Sequence, residues 1–264
     1  MARFTRIPSS SPTKTKLSNL VVSLLLGVLA ARLTHAADTV PVTVDNFIRA
    51  ESDLYFGGIV KDSGGAIGKF NHRREPALID NQTVIRLNRD TLYSSALFDL
   101  DAGPVTITLP DTGKRFRSMQ LINEDHYVPE VTYTSGPHTL DKAKVGTRYV
   151  AVGIRTLVDP NNPADLKQVH ALQDAIKVEQ SGGPGSLEVP NWDPVSQKEV
   201  RDALLVLAST MPDFKKAFGK KDEVDPVRHL LQRLRPGEAI LIKTLFISTS
   251  LRLVMMERPH ISWW

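Results

Sequence analysis

The chain has no cysteine among its 264 residues. That removes disulfides, thiolate metal sites, cysteine nucleophiles and lipoprotein-type acylation in one stroke, so stability has to come from packing. It also lacks the usual catalytic and metal signatures. There is no G-x-S-x-G elbow, no H-E-x-x-H and no paired-histidine metal spacing. "GGAIGKF" has the look of a phosphate loop, but Ser63 stands where the pattern needs its first glycine and Phe70 stands where a hydroxyl should follow Lys69. No internal repeat or low-complexity tract occurs, and the sequence names no cofactor, substrate or oligomeric state.

Net charge is also scarce once its location is considered. The formal +4 comes from 33 basic against 29 acidic residues, but residues 1–36 hold Arg3, Arg6, Lys14, Lys16 and Arg32 with no acid. Without them the count is 28 against 29, and without residues 232–264 as well it is 23 against 27. The middle of the chain is mildly acidic, which argues against nucleic acid as a partner. The basic start is followed by the apolar stretch "LVVSLLLGVLAA" from Leu20 to Ala31 and by the small-residue site Thr34-His35-Ala36. This order predicts an export signal cleaved after Ala36, giving a periplasmic or secreted protein. The apolar stretch is shorter than the roughly 20 residues that span a bilayer, so no stable membrane span is expected after cleavage.

With 41% hydrophobic residues a core can form, and one or two domains are expected at this length. "VTVDNFIRAESDLYFGGIV" spaces Val44, Phe47, Ile48, Leu54 and Tyr55 as a helix, with Gly57-Gly58 as its stop. From Leu78 to Thr134 the period falls to two, in runs such as "TVIRLN", "SSALFDL", "VTITLP", "RFRSMQLIN" and "VTYT". Turn residues at Asp101 to Pro104 and Asp111 to Gly113 punctuate them, and "RYVAVGIRTLV" adds another strand. Two helices follow. Asn162 caps the first, with Pro163 in its first turn and a stripe of Leu166, Val169, Leu172 and Ile176. Ser196 and Glu199 have capping-box spacing for the second, and "SGGPGS" between them reads as a flexible loop. The predicted fold is a mainly β protein: an antiparallel β-sandwich over residues 37–231 with one helix before it and two after.

Two polar clusters carry chemistry. In "LINEDHY", Glu124, Asp125 and His126 follow an apolar strand, and a carboxylate beside an imidazole can orient a base or hold a hard cation; the alternative is a solvated strand end. In "LNRDTLYSSALFDL", Asn88, Arg89 and Asp90 interrupt a β pattern that resumes with Tyr93. That break is either a turn closed by side-chain bonds to the backbone or a site where the Arg89 fork receives an anion. Asn88, Arg89, Tyr93, Glu124, Asp125 and His126 are therefore the candidate ligand-binding residues, and His72 in "NHRREP" is a looser one.

The strings "VDNFIRAESDLYF", "LNRDTLYSSALFDLDAGPVTITLPDTGKRFRSMQLINEDHY", "GTRYVAVGIRTLVDP", "VHALQDAI", "VPNWDP" and "DPVRHL" resemble the bacterial family called domain of unknown function 1254, usually followed by a second region called 1214. The resemblance runs from Val44 to Leu230. It implies an exported or envelope-associated β-sandwich with helical additions and no settled activity. The readings that follow are a binder of a small polar or anionic ligand, a hydrolase or lyase using Glu124 or Asp125 with His126, or a non-functional truncated copy. After "DPVRHL" the resemblance stops abruptly, and the tail "LQRLRPGEAILIKTLFISTSLRLVMMERPHISWW" is basic, apolar and β-prone. Read one nucleotide out of frame, Met255-Met256 must give Asp, Met256-Glu257 must give Gly and Trp263-Trp264 must give Val. The other codons permit the family's continuation, so residues 232–264 read as an out-of-frame tail in place of the second domain. The coding DNA should then show a one-nucleotide insertion or deletion near Leu230 to Gln232.

Overall fold

The computed structural model describes residues 39–76 and 89–231, so the expected export signal, the "TVIRLN" strand and the tail after Leu231 lie outside the described residues. Every element named below belongs to the unit that begins at Val40. Among the described residues eight strands form two antiparallel sheets. β1 (Asn71–His72), β2 (Thr91–Asp99), β7 (Tyr149–Leu157), β4 (Arg117–Asn123) and β5 (Val131–Thr132) make the larger one, in the order β1-β2-β7-β4-β5. β6 (Gly136–Leu140), β3 (Val105–Leu109) and β8 (Lys177–Gln180) make the smaller one, with β3 central. The helices are α1 (Phe47–Asp62), the single turn α2 (Lys142–Val145), α3 (Pro163–Asp174), α4 (Pro194–Ala208) and α5 (Pro226–Leu231). The expected mainly antiparallel architecture with flanking helices is what is observed.

One apolar cluster fills the space between the sheets. Ala96 and Phe98 of β2, Val150, Val152 and Ile154 of β7, and Met119 and Leu121 of β4 meet Val105, Ile107 and Leu109 of β3 and Leu140 of β6. Each such Phe, Leu or Ile contributes roughly 1.5–3 kcal/mol when taken from water. β3 alternates buried and half-buried residues, as a strand with one covered face must. The central strands of the larger sheet do not alternate, because their other face is covered too. Leu97, Ile122, Tyr149 and Ala151 pack there against Phe56 and Ile59 of α1.

α1 is itself covered on a second side. Phe47 and Ala50 pack with Leu204 and Ala208 of α4 and Leu231 of α5. Its buried acids reach partners on that side: Glu51 accepts from Gln197 (2.7 Å) and pairs with Arg201, and Asp53 accepts from the Trp192 indole (2.8 Å). Two glycines were expected to end this helix, but α1 runs through Gly57-Gly58. The burial of Phe56 and Ile59 on either side of the pair outweighs the roughly 1 kcal/mol cost of each glycine. The stop comes at Ser63, where Gly65 donates to the Val60 carbonyl (2.8 Å) and Gly64, at φ 75°, to that of Lys61 (3.1 Å). This is a Schellman closure, and it uses the left-handed glycine that such a closure favours.

The cap of α3 is as expected: Asn162 accepts from the N–H groups of Ala164 and Asp165, with Pro163 in the first turn. The cap of α4 is not. Asp193, ahead of Pro194, accepts from Val195 and Ser196, while Ser196 lies inside the helix and its hydroxyl receives the Val42 N–H (2.9 Å). "SGGPGS" also has a tighter role than a flexible connector. It passes over the end of the sandwich so closely that a Cβ at Gly182 would fall 1.6 Å from the Ala102 carbonyl oxygen, and one at Gly185 2.6 Å from Asp99 Oδ2.

Candidate functional site

The expected cluster at Glu124, Asp125 and His126 forms a tight corner where β4 ends. Asn123 shapes it. Its carbonyl receives the His126 N–H (2.9 Å), its side-chain oxygen the Tyr127 N–H (2.9 Å), and its amide donates to the Val145 carbonyl (2.9 Å). His126 has a φ of 65°, uncommon for a residue other than glycine, and its ring is fully buried at the edge of the Phe218 ring. Glu124, 6% exposed, is engaged at both oxygens: Oε1 accepts from Arg49 of α1 (3.1 Å) and Oε2 from the Tyr149 N–H (3.0 Å). Asp125 pairs with the same guanidinium. Burial opposes the charge on Arg49, but the bond to Asp125 and the nearby carboxylates outweigh it and raise its pKa above the usual value.

His229 of α5 closes the corner. Its ring stacks on Tyr127 at 4.4 Å, with Nε2 3.0 Å from the Asp125 carbonyl oxygen and Nδ1 3.1 Å from that of Ala217. The Glu124 carboxylate and the Arg49 fork thus join α1 to the sheet, and His229 joins α5 to the same turn. Beside them, at the same end of the sheet, Asp99 faces Tyr149 across the ladder and accepts two bonds from Arg148 (3.0 and 2.8 Å).

The second cluster lies elsewhere. Arg89 and Asp90 form the bend that leads into β2; Arg89 is exposed, and the Asp90 carbonyl receives the Val158 N–H (2.8 Å). Asn88 lies outside the described residues. Tyr93 stands opposite Arg155 of β7, which in turn stands opposite Ser118 of β4. Six residues separate Tyr93 from Asp99 along β2, roughly 20 Å of extended chain. The structure therefore does not bring Tyr93 or Arg89 into one pocket with Glu124 to His126. His72 is separate again: half-buried in β1, its Nδ1 lies 2.7 Å from the Ser94 hydroxyl, and burial, with Arg74 nearby, lowers its pKa.

Around Tyr93 the sheet has a polar face that the sequence reading did not single out. Leu97 and Tyr93 of β2, Ala151 and Tyr149 of β7, and Ile122 of β4 share the α1 side. Strand alternation then puts Ser95, Gly153, Arg155, Ser118 and Gln120 on that side as well. In the register Tyr93, Arg155 and Ser118 make one row, and Ser95, Gly153 and Gln120 the next. Arg155 is 1% exposed and Gln120 2% exposed, and the Arg155 guanidinium carbon lies 5.5 Å from the Tyr93 ring centre. Gln120 Nε2 and Tyr93 Oη are buried without a hydrogen-bond partner among the described residues. The available signal was the presence of Arg, Gln and Ser at alternate positions of two otherwise apolar strands, "RSMQLIN" and "VAVGIRTL".

Among the described residues no group of three or more His, Asp or Glu side chains is placed to hold a metal ion, and no helix is long and apolar enough to cross a membrane.

These features define a two-sheet antiparallel sandwich whose larger sheet carries helices on one face and a buried polar patch beside them. Residues 67–139, from the loop after α1 into β6, match the family described as "Protein of unknown function (DUF1254)". That is the family recognised in the sequence; the strings before Ile67 and after Thr139 lie outside the match. No curated protein matches the chain. Among solved structures it is similar to the VPA0106 protein from Vibrio parahaemolyticus, with a TM-score of 0.54 and 15% identity over 71% of this chain. The chain spans 63% of the length of that protein, and at this identity the likeness is one of fold.

Proposed function

We propose that this DUF1254-family chain is an exported protein that binds a small polar or anionic ligand. The observation that carries the reading is at Tyr93: within the Asn-Arg-Asp-Thr-Leu-Tyr string, this residue presents beside Arg155 a buried hydroxyl with no hydrogen-bond partner among the described residues, and Gln120, on the same face of the sheet, has a buried amide nitrogen in the same state. Unpartnered buried polar groups cost about 1–3 kcal/mol each, and a fold that keeps two on one sheet face has a use for them. Acid–base catalysis at Glu124 and His126 is less well supported, because the Glu124 carboxylate is already engaged at both oxygens.

Export follows from the basic start, the short apolar stretch and the small residues before Ala37. The test has two arms. N-terminal sequencing of the periplasmic or secreted product should begin at Ala37, and a product that retains Met1 would refute export. A thermal-shift screen of the purified chain against small sugars, amino acids, carboxylates and phosphate should raise Tm with at least one of them. A flat screen that calorimetry also finds silent would refute ligand binding.

A further inference from the structure

A strand at the border of a sheet presents unpaired backbone groups, and a protein has either to blunt that edge or to use it. Among the described residues the borders are β1 and β5 in the larger sheet and β6 and β8 in the smaller. Three of them are blunted. β1 and β5 are two residues long, and β6 carries Pro137, which has no N–H to offer. β8, with the sequence Lys-Val-Glu-Gln from Lys177 to Gln180, has neither defence.

On its inner side β8 pairs with β3, Thr108 facing Lys177, Ile107 facing Val178 and Thr106 facing Glu179. Ile107 is buried between the two sheets, and Val178 packs against the same cluster. Strand alternation therefore sends Lys177 and Glu179 to the outer face of the smaller sheet, beside the two threonines, where both are exposed. Neither side chain forms an ion pair with another described residue.

Charged residues on an edge deter pairing when like charges would meet. Here the order of the charges admits one pairing. When two β8 strands run antiparallel about a two-fold axis at Val178, each Lys177 faces Glu179 of the other copy, and the two Val178 side chains stay on the core face. A slip of two residues would set Lys177 against Lys177 or Glu179 against Glu179. A slip of one would turn the core face of the second copy outward, and parallel pairing in register would match like with like.

We infer that β8 is an edge at which two copies of this chain pair, antiparallel about Val178, so that their smaller sheets join into one. The contact is short, because the bonds of Ile176 N–H to the Gln173 carbonyl (3.2 Å) and of Gly183 N–H to that of Gln180 (3.1 Å) close β8 at either end. An interface this size falls below about 1,200 Å² and makes a weak, reversible dimer.

Sedimentation velocity of the purified full chain, from about 10 μM to about 1 mM, should show monomer passing into dimer. Lys177→Glu and Glu179→Lys each set like charges face to face at both ends of the contact, and each should weaken the dimer about tenfold or more. Both positions are exposed, so the monomer itself should be undisturbed. The double variant Lys177→Glu/Glu179→Lys restores opposite charges and should dimerise as wild type does. An equimolar mixture of the two single variants should form a mixed dimer, since each supplies the charge that the other needs. A wild-type chain that stays monomeric across this range overturns the proposal, and so does self-association of equal strength in wild type and every variant. Single variants that weaken the dimer while neither the double variant nor the mixture recovers it would overturn it as well, because the charges would then act somewhere other than across a two-fold edge.

Discussion

The two ends of the α1 face of the larger sheet handle polar groups in opposite ways. At the end where β2 and β4 finish, Asp99 and Glu124 flank Tyr149, and each buried carboxylate is met by an arginine from outside the sheet, Arg148 for the first and Arg49 for the second. Backbone N–H groups complete them: those of Asp101 and Ser186 at Asp99, and that of Tyr149 at Glu124. Toward the other end, roughly 13 Å along the strands at Gln120 and roughly 20 Å at Tyr93, these two residues keep buried atoms with no hydrogen-bond partner among the described residues. A saturated network holds elements together and is costly to disturb. Buried donors left open cost stability and wait for an acceptor. The comparison thus separates saturated polarity from open polarity on one continuous surface, and mutations at the two ends should differ in sign as well as in size.

The largest effect belongs to Asp99. Its side chain is 3% exposed and fixes Arg148, the loop at Ser186 and the turn at Asp101. Asp99→Ala leaves Arg148 without this partner and should cost about 3–5 kcal/mol in urea unfolding. The same residue gives the protein an acid limit. Burial alone would raise the Asp99 pKa, but the Arg148 guanidinium and the two N–H groups outweigh it and hold the carboxyl below its usual value. A carboxyl whose folded pKa is depressed contributes its full stability above the unfolded value, near 3.9, and loses it as pH falls from there through the folded value. The Tm of wild type should therefore fall more steeply than that of Asp99→Asn over this window, and equal slopes would show that the pair contributes nothing.

Glu124 should come next. Glu124→Ala uncovers the Tyr149 N–H and takes one of two carboxylates from Arg49, at a cost of about 2–3 kcal/mol. Glu124→Gln keeps an acceptor for that N–H, and Asp125 keeps the guanidinium, so about 1 kcal/mol is expected. Losses this unequal mark a structural corner. If both variants unfolded at the wild-type urea concentration, the corner would not be the fastening that its geometry describes.

Why the sequence disclosed some of this and hid the rest is a matter of range. Asn162 with Pro163 is legible because a cap is a contract between residues two or three apart, and the Asp111 turn likewise closes on the Gly113 N–H (2.9 Å). Strands of the smaller sheet show the alternation of a single covered face. β7, buried on both, shows only a continuous run in which Arg155 looks like an interruption. The errors at Gly57-Gly58 and Ser196 have a common cause: a local signal was overruled, in one case by packing against the sheet and α4, in the other by Asp193 three residues earlier. Glu124 to His126 attracted notice because three titratable residues stand together in the chain. The patch did not, because Tyr93, Gln120 and Arg155 come from three strands and meet only through the register.

The smallest effect, and the one that most sharpens the comparison, is expected at Tyr93 and Gln120. In a structural network, loss of a hydroxyl or an amide would remove a bond and lower stability by about 1 kcal/mol. Here Tyr93 Oη and Gln120 Nε2 bond to nothing among the described residues, so Tyr93→Phe and Gln120→Met delete atoms that bear a desolvation cost without return. Phenylalanine keeps the ring beside Arg155, and methionine keeps the length of the glutamine side chain. Packing is thus largely preserved and only the unpaired polar atom goes. Each variant should unfold within about 0.5 kcal/mol of wild type or on the stable side of it, when no ligand is present. With a ligand found by the thermal-shift screen added, the order should reverse, since wild type gains binding free energy that the variants have lost. A loss of 1 kcal/mol or more without ligand would place Tyr93 and Gln120 in the same structural class as Glu124 and erase the difference between the two ends.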